Sequence, residues 1–252
     1  MDLLLGTVLL RPYVFGFLAA FVLAGAADLG RRRTVLFTAC VWPVALLAEL
    51  SSTRTGVPFG LYHYTGSTRG QELFIAEVPF MDSLSFTFLA YASFCLARAA
   101  LRAEGVAPAR PRAPLALACL SGLLMMLLDV VIDPAAVRGD RWFLGRIFYY
   151  PHGGEYFGVP LSNFLGWALV GTASVGAYLA LAGDGGRRRV WPGVALYYAV
   201  LAFNLGVTAW IGEWTLVAVG AGIHAAAAGV LGFFVTRTSG GRLPPEGGVE
   251  SA

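Results

Sequence analysis

Six acidic residues, Glu49, Glu77, Asp82, Asp129, Asp133 and Glu213, stand inside or at the ends of long apolar runs. A carboxylate in hydrocarbon costs about 2.5–3.5 kcal/mol even on a lenient insertion scale, so acids kept there mark chemistry or an ion partner. Asp129 and Asp133 are four apart and share one face of a helix. Desolvation and a like-charged neighbour both disfavour ionisation. One carboxyl of such a pair can therefore hold its proton and act as an acid while its partner stays charged. The residue before a proline disfavours helix, so Pro134 predicts a helix ending near Asp133 with Asp129 a turn deeper. The plainer alternative is a pair of helix-end acids bound to Arg138, Arg141 or backbone donors. Glu49 has the same choice between acid catalyst and ion partner for Arg54. Glu213, in a two-residue turn, reads as a solvated charge.

Rings crowd these acids in the sequence: Phe59, Tyr62, Tyr64, Trp142, Phe148, Tyr149, Tyr150, Tyr156, Phe157 and Trp167. Ring faces attract cations and could shelter a carbocation; an aromatic belt at a membrane interface would have the same composition. Gly and Pro companions, as in Gly56-Val57-Pro58-Phe59-Gly60 and Gly158-Val159-Pro160, predict rings held by fixed turns. The three histidines, His63, His152 and His224, never fall in HxxH or HxxxH spacing, which argues against a membrane di-iron oxygenase. His63 and His152 lie in loops, as plain loop residues or proton shuttles. Cys40, Cys95 and Cys119 stand singly in apolar runs with no CxxC, so neither disulfides nor zinc are implied. No metal and no cofactor is expected, and no dinucleotide or phosphate loop is present.

The elements that must position these groups are membrane spans. The 252 residues are 57% hydrophobic and 13% charged, with mean hydropathy +0.68, whereas soluble domains carry about 25% charged residues. The expected fold is an all-α integral membrane protein of about seven spans, at 12–27, 34–51, 79–97, 114–132, 160–182, 191–211 and 214–235. The first is short unless the apolar residues 3–10 join it. Residues 1–238 form one polytopic domain, and the Gly/Pro-rich tail 239–252 reads as disordered. All 18 basic residues are Arg. Twelve of them, Arg31, Arg32, Arg33, Arg98, Arg102, Arg110, Arg112, Arg187, Arg188, Arg189, Arg237 and Arg242, fall on one side of this topology. That side is cytoplasmic, which puts the N-terminus outside. These short clusters abut apolar segments, so they are topology signals and nucleic acid is not an expected partner. All six acids then gather toward the outer ends of the spans.

Two outer connections, 52–78 and 133–159, are dense in Gly, rings and charge. Long loops with chemistry of their own are usually functional, and these are expected to be re-entrant or interfacial. A weak internal echo joins Val78-Pro79-Phe80-Met81-Asp82 to Val159-Pro160-Leu161-Ser162-Asn163.

Glu49, then Thr55-Gly56-Val57-Pro58-Phe59-Gly60-Leu61-Tyr62-His63-Tyr64 and Glu77-Val78-Pro79, resembles the first block of a family of membrane carotenoid-biosynthesis proteins. Its second block resembles Asp129-Val130-Val131-Ile132-Asp133-Pro134, Trp142, and Tyr156-Phe157-Gly158-Val159-Pro160-Leu161-Ser162-Asn163-Phe164-Leu165-Gly166-Trp167. That family includes carotenoid 1,2-hydratases acting on gamma-carotene-like ends and bisanhydrobacterioruberin hydratases. The resemblance implies a cofactor-independent hydratase of the plasma membrane, partnered by a carotenoid, the bilayer and other carotenoid enzymes. Protonation of a terminal isopropylidene group gives a tertiary carbocation that water captures. On chemical grounds Asp129 or Glu49 is the proton donor, Asp133 and Asp82 position water or tune the donor, and Asn163 orients either. Trp142, Tyr149, Tyr150, Tyr156 and Trp167, with Phe59, Tyr62 and Tyr64, would line the pocket. An end-group cyclase or isomerase uses the same protonation, and a lipid-binding or transport protein is the competing class.

Overall fold

In lipid every backbone polar group must be satisfied within its own segment, so long apolar runs fold as helices. A computed structural model describes residues 2–103, 113–184 and 189–239, and among them the runs are helical. The helices are α1 (Leu3–Leu10), α2 (Pro12–Asp28), α3 (Arg31–Thr55), α4 (Phe80–Ala103), α5 (Ala113–Ala136), α6 (Leu161–Ala182), α7 (Trp191–Trp210) and α8 (Trp214–Ser239). Six of them, α3 to α8, are long and apolar enough to cross a membrane. The molecule is an all-α, multi-pass membrane protein.

The expected first span differs. Residues 3–28 qualify only as the pair α1 and α2, bent by 91°. Arg11, at the break, is non-helical at φ −136° and ψ 58°, and Pro12 opens α2, as the conformational limits before and at proline dictate. The expected stop at Asp133 is also corrected. Helix α5 runs through Pro134 to Ala136. Proline removes one donor, but Val137 N bonds Asp133 O at 2.9 Å just beyond it, and the Pro134 carbonyl accepts from Arg138 Nη1 at 2.7 Å. The expected tail 239–252 lies, past Ser239, outside the described residues, as do Arg110, Arg112, Arg187, Arg188 and Arg242.

Helices α5 and α6 pack backbone to backbone. A Cβ on Gly171 would sit 2.9 Å from the Gly122 Cα, and one on Gly122 would sit 2.4 Å from the Ala168 carbonyl oxygen. Small residues permit such approach between membrane helices. It sets the Asp129–Asp133 face of α5 against the start of α6.

The two long connections close onto each other over one end of the bundle. Strand β1 (His63–Tyr64) pairs antiparallel with β4 (Phe148–Tyr149), matching His63 with Tyr149 and Tyr64 with Phe148. Thr65 N extends the contact to Ile147 O at 2.8 Å. In the first connection, β2 (Phe74–Ile75) pairs with β3 (Val78–Pro79). The second is tied down by Arg138 and Arg141, which both pair with Glu213 in the α7–α8 turn. At the opposite end, Arg98 is fully buried and pairs with Asp28 and Asp184. Sequence reading took Arg98 for a topology signal just past the third span. Its position one turn inside α4, facing α2, makes it an internal ion partner.

Candidate active site

Helix α5 presents Asp129 and Asp133 one turn apart, and the third residue of α6, Asn163, reaches both. Asn163 Nδ2 donates to Asp129 Oδ2 at 2.6 Å and to Asp133 Oδ2 at 2.8 Å. The Trp167 indole, a turn further along α6, also bonds Asp133. Asp129 and Asn163 are fully or almost fully buried. Two carboxyls that share one neutral amide have no cation between them, an arrangement that is stable only with a proton in the pair.

Across from this pair stands Glu49 of α3, 4% exposed. The Tyr64 hydroxyl donates to Glu49 Oε1 at 3.3 Å, while Oε2 is buried with no hydrogen-bond partner among the described residues. Tyr62 bonds Tyr64 in turn. Burial, and after it the Glu49 carboxylate, pushes the phenols of Tyr62 and Tyr64 well above their ordinary pKa, so both stay protonated donors. Neither ion-pair alternative for these acids is realised. Arg54 bonds Glu77, at 3.0 Å, and Arg138 and Arg141 are engaged by Glu213.

Asp133, Glu49, Asn163 and Asp82 all line one cavity of about 140 Å³. A cavity needs roughly 10–15 Å³ on this scale to hold one water, so there is room for a small branched group with water beside it. The other walls are mostly rings: Phe59, Tyr62, Tyr64, Phe86, Trp142, Phe148, Tyr150 and Trp167. Trp167 stacks on Phe86 with centroids 4.3 Å apart at 11°, and Phe59 lies tilted against both. Gly166 lets the first connection approach this closely, because a Cβ there would sit 2.6 Å from the Phe59 ring. The cavity runs on past Asp82 to Phe86 and Leu89 on α4, Phe17 on α2, and Val200 and Asn204 on α7. From Asp82 to Leu89 is about 10 Å of helix. A polar, acid-bearing end thus opens into an apolar length.

The profile of the carotenoid biosynthesis protein family matches residues 3–227. The chain belongs to that family. It is also 31% identical, over 155 residues, to a bisanhydrobacterioruberin hydratase of Haloarcula japonica. The match covers 61% of this chain and 47% of that protein, so the chain spans about half the length of the curated relative it matches. No solved structure matches.

Placement on the cavity of this carotenoid-biosynthesis protein separates the expected site residues. Glu49, Asp82, Asp133, Asn163, Phe59, Tyr62, Tyr64, Trp142, Tyr150 and Trp167 come together on it. Asp129 is not on the wall; it stands behind Asp133, bridged through Asn163. Tyr149 and Tyr156, expected as lining residues, are elsewhere. Side chains alternate along a strand, so Tyr64 and Phe148 turn inward, while His63 and Tyr149, 5.9 Å apart, turn outward, with Arg146 over the Tyr149 ring. Tyr156 packs on Phe157 and Phe164. His152 is exposed. Glu213, expected to be solvated, is held by two arginines.

Sequence reasoning missed Arg11 and Glu72. Arg11 lines the cavity and bonds Asp82 and, at 2.9 Å, Glu72. Its signal was a lone charge between two apolar runs, which in lipid requires a partner. Among the described residues no group of three His, Cys, Asp or Glu side chains is arranged to hold a metal ion.

Proposed function

We propose that this protein is a carotenoid hydratase, a hydro-lyase that adds water to the terminal isopropylidene double bond of an acyclic carotenoid end group. The observation that carries this reading is the meeting of Asp133, Glu49 and Asn163 around one ring-lined cavity with an apolar extension. The Asp129–Asp133 pair, through Asp133 at the cavity wall, or Glu49 opposite it, protonates the less substituted alkene carbon. The tertiary cation forms among the faces of Trp167, Tyr150 and Phe59, which attract positive charge. Water then captures it. The addition transfers no net electrons, so its balance calls for no redox partner.

A cavity of this size takes the end group and leaves the polyene along the apolar extension and the lipid. The α1–α2 pair counts as the first of seven crossings, with the N-terminus outside and the C-terminus in the cytoplasm of a plasma-membrane protein. The acids then sit at the outer interface, where water enters. The similarity to a protein named as a hydratase favours water addition over other fates of the cation. The carotenoid and the bilayer are the partners this chemistry requires, and neighbouring carotenoid enzymes are partners by supply.

Expression in a host that makes an acyclic-ended carotenoid tests the reading. A product heavier by one water, formed without oxygen and labelled from isotopic water, is expected. A new product of unchanged mass would mean a cyclase or isomerase. No product from any acyclic-ended carotenoid would leave lipid binding or transport.

A further inference from the structure

The cavity wall carries two kinds of carboxyl group, distinguished by their partners. Asp133 and Glu49 are met by neutral donors: the Asn163 amide, the Trp167 indole and the Tyr64 phenol. Asp82 is met by a cation. Arg11 Nη1 bonds its Oδ1, and Arg11 is itself buried, 3% exposed. The other arm of the guanidinium, Nη2, holds Glu72 Oε1, which also accepts from Thr68 Oγ1. Glu72 is 2% exposed, and its Oε2 has no hydrogen-bond partner among the described residues. Arg11 is therefore clamped between two carboxylates at the bend between α1 and α2. A guanidinium does not give up its proton in proteins. A carboxylate bound to it stays charged: a poor proton donor, and a weaker base than a free carboxylate, yet base enough for the strongly acidic oxonium left when water adds to a cation.

Asp82 differs in access too. Its side chain is 23% exposed, whereas Glu49 is buried. Asp82 and Asn163 each stand third in the helix that follows a long connection, α4 and α6, and so they reach the same cavity from different helices.

We propose that Arg11 is a positioning residue that fixes Asp82 as the acceptor for the proton of the attacking water. Proton donation to the alkene is left to the Asp133 and Glu49 side. The inference rests on the hydratase reading. The alkene π pair forms a C–H bond with the donor's proton, leaving a tertiary cation. A water lone pair forms the C–O bond, and the proton released from that oxygen passes to Asp82. One water is consumed, and the proton on Asp82 returns to the donor through solvent. Without a second base, the nearest acceptor is the donor's own conjugate base, which takes a proton back from the cation and restores an alkene.

The test separates these fates. Purified protein is given an acyclic-ended carotenoid in deuterated water, and hydration is measured beside uptake of solvent deuterium into recovered alkene. The double variant Arg11→Gln/Glu72→Gln removes one charge of each sign and so keeps the net charge of the cluster. Hydration is expected to fall about tenfold or more while deuterium uptake continues, and Arg11→Lys should shift the ratio in the same direction by less. Hydration and uptake that fall together, or a ratio that neither variant changes, would overturn the role of Arg11. A wild-type protein showing neither hydration nor uptake would remove the hydratase reading itself, and this inference with it.

Discussion

Asp129 and Asp133 have the same chemistry in the sequence, and only their places tell them apart. Asp133 is on the cavity wall; Asp129 is one turn deeper and reaches the cavity through Asn163. Asp133→Asn is expected to lower hydration by about 10²–10⁴, the range for a general acid, and Asp129→Asn by less, with both variants present in the membrane at normal levels. Equal losses would erase the distinction. Trp167→Leu removes an indole that both bonds Asp133 and stacks on Phe86. A loss of about 30-fold, with a smaller loss for Trp167→Phe, is expected from cation–ring attraction. The acids and most of the rings were legible in the sequence because a polar or aromatic residue at a span end is conspicuous. Tyr156 turns to Phe157 and Phe164 instead, while the wrong placing of Tyr149 came from neighbours in sequence that point to opposite sides of a two-residue strand. That register is set by the partner strand, which is more than 80 positions away.

At the scale of elements, the site depends on α5 and α6 touching. Gly122→Val would drive a side chain into Thr172 and the Ala168 carbonyl. Overpacking of this kind costs about 1–3 kcal/mol, so a lower thermal midpoint in detergent and loss of hydration are expected together. The second connection depends on Glu213. Burial alone would raise its pKa, but the Arg138 charge and hydrogen bonds from Arg141 and Arg138 outweigh burial and hold it below the usual glutamate value. A depressed carboxyl contributes stability above its unfolded pKa and loses it as pH falls through the folded value. Protection of residues 138–145 against hydrogen exchange, taken relative to the intrinsic rate at each pH, should therefore be high at neutral pH and fall as pH drops below the ordinary glutamate value of about 4.3. Glu213→Gln should give the low protection at every pH. Helix positions in α3 to α8 were legible to within a few residues, because apolar length in lipid leaves little choice. The bend at Arg11 was legible only in part: Pro12 marks the start of α2, whereas the partners that hold Arg11 there, Glu72 and Asp82, come 61 and 71 positions later. The pairing of the two connections was hidden for the same reason of distance.

For the whole molecule, the acids and the buried Arg98 cluster occupy opposite ends of the bundle. With the N-terminus outside, Ser67→Cys should react with an impermeant thiol reagent in intact cells. Gly183→Cys should react only after permeabilisation. The reverse pattern would invert the topology and place the acids on the cytoplasmic side. Orientation came from arginine clusters of which several lie outside the described residues, while the gathering of Glu49, Asp82 and Asp133 at one end comes from the helices themselves. The central claim is that these carboxyls deliver a proton to an alkene and water takes the cation. Mass spectrometry of the product formed anaerobically in deuterated, oxygen-18-labelled water tests it most directly. One solvent deuteron on the carbon beside the new carbinol, and one labelled oxygen on the carbinol, are predicted, with both abolished in Asp133→Asn combined with Glu49→Gln. A product lacking that deuteron, or formed undiminished by the double variant, would contradict the account.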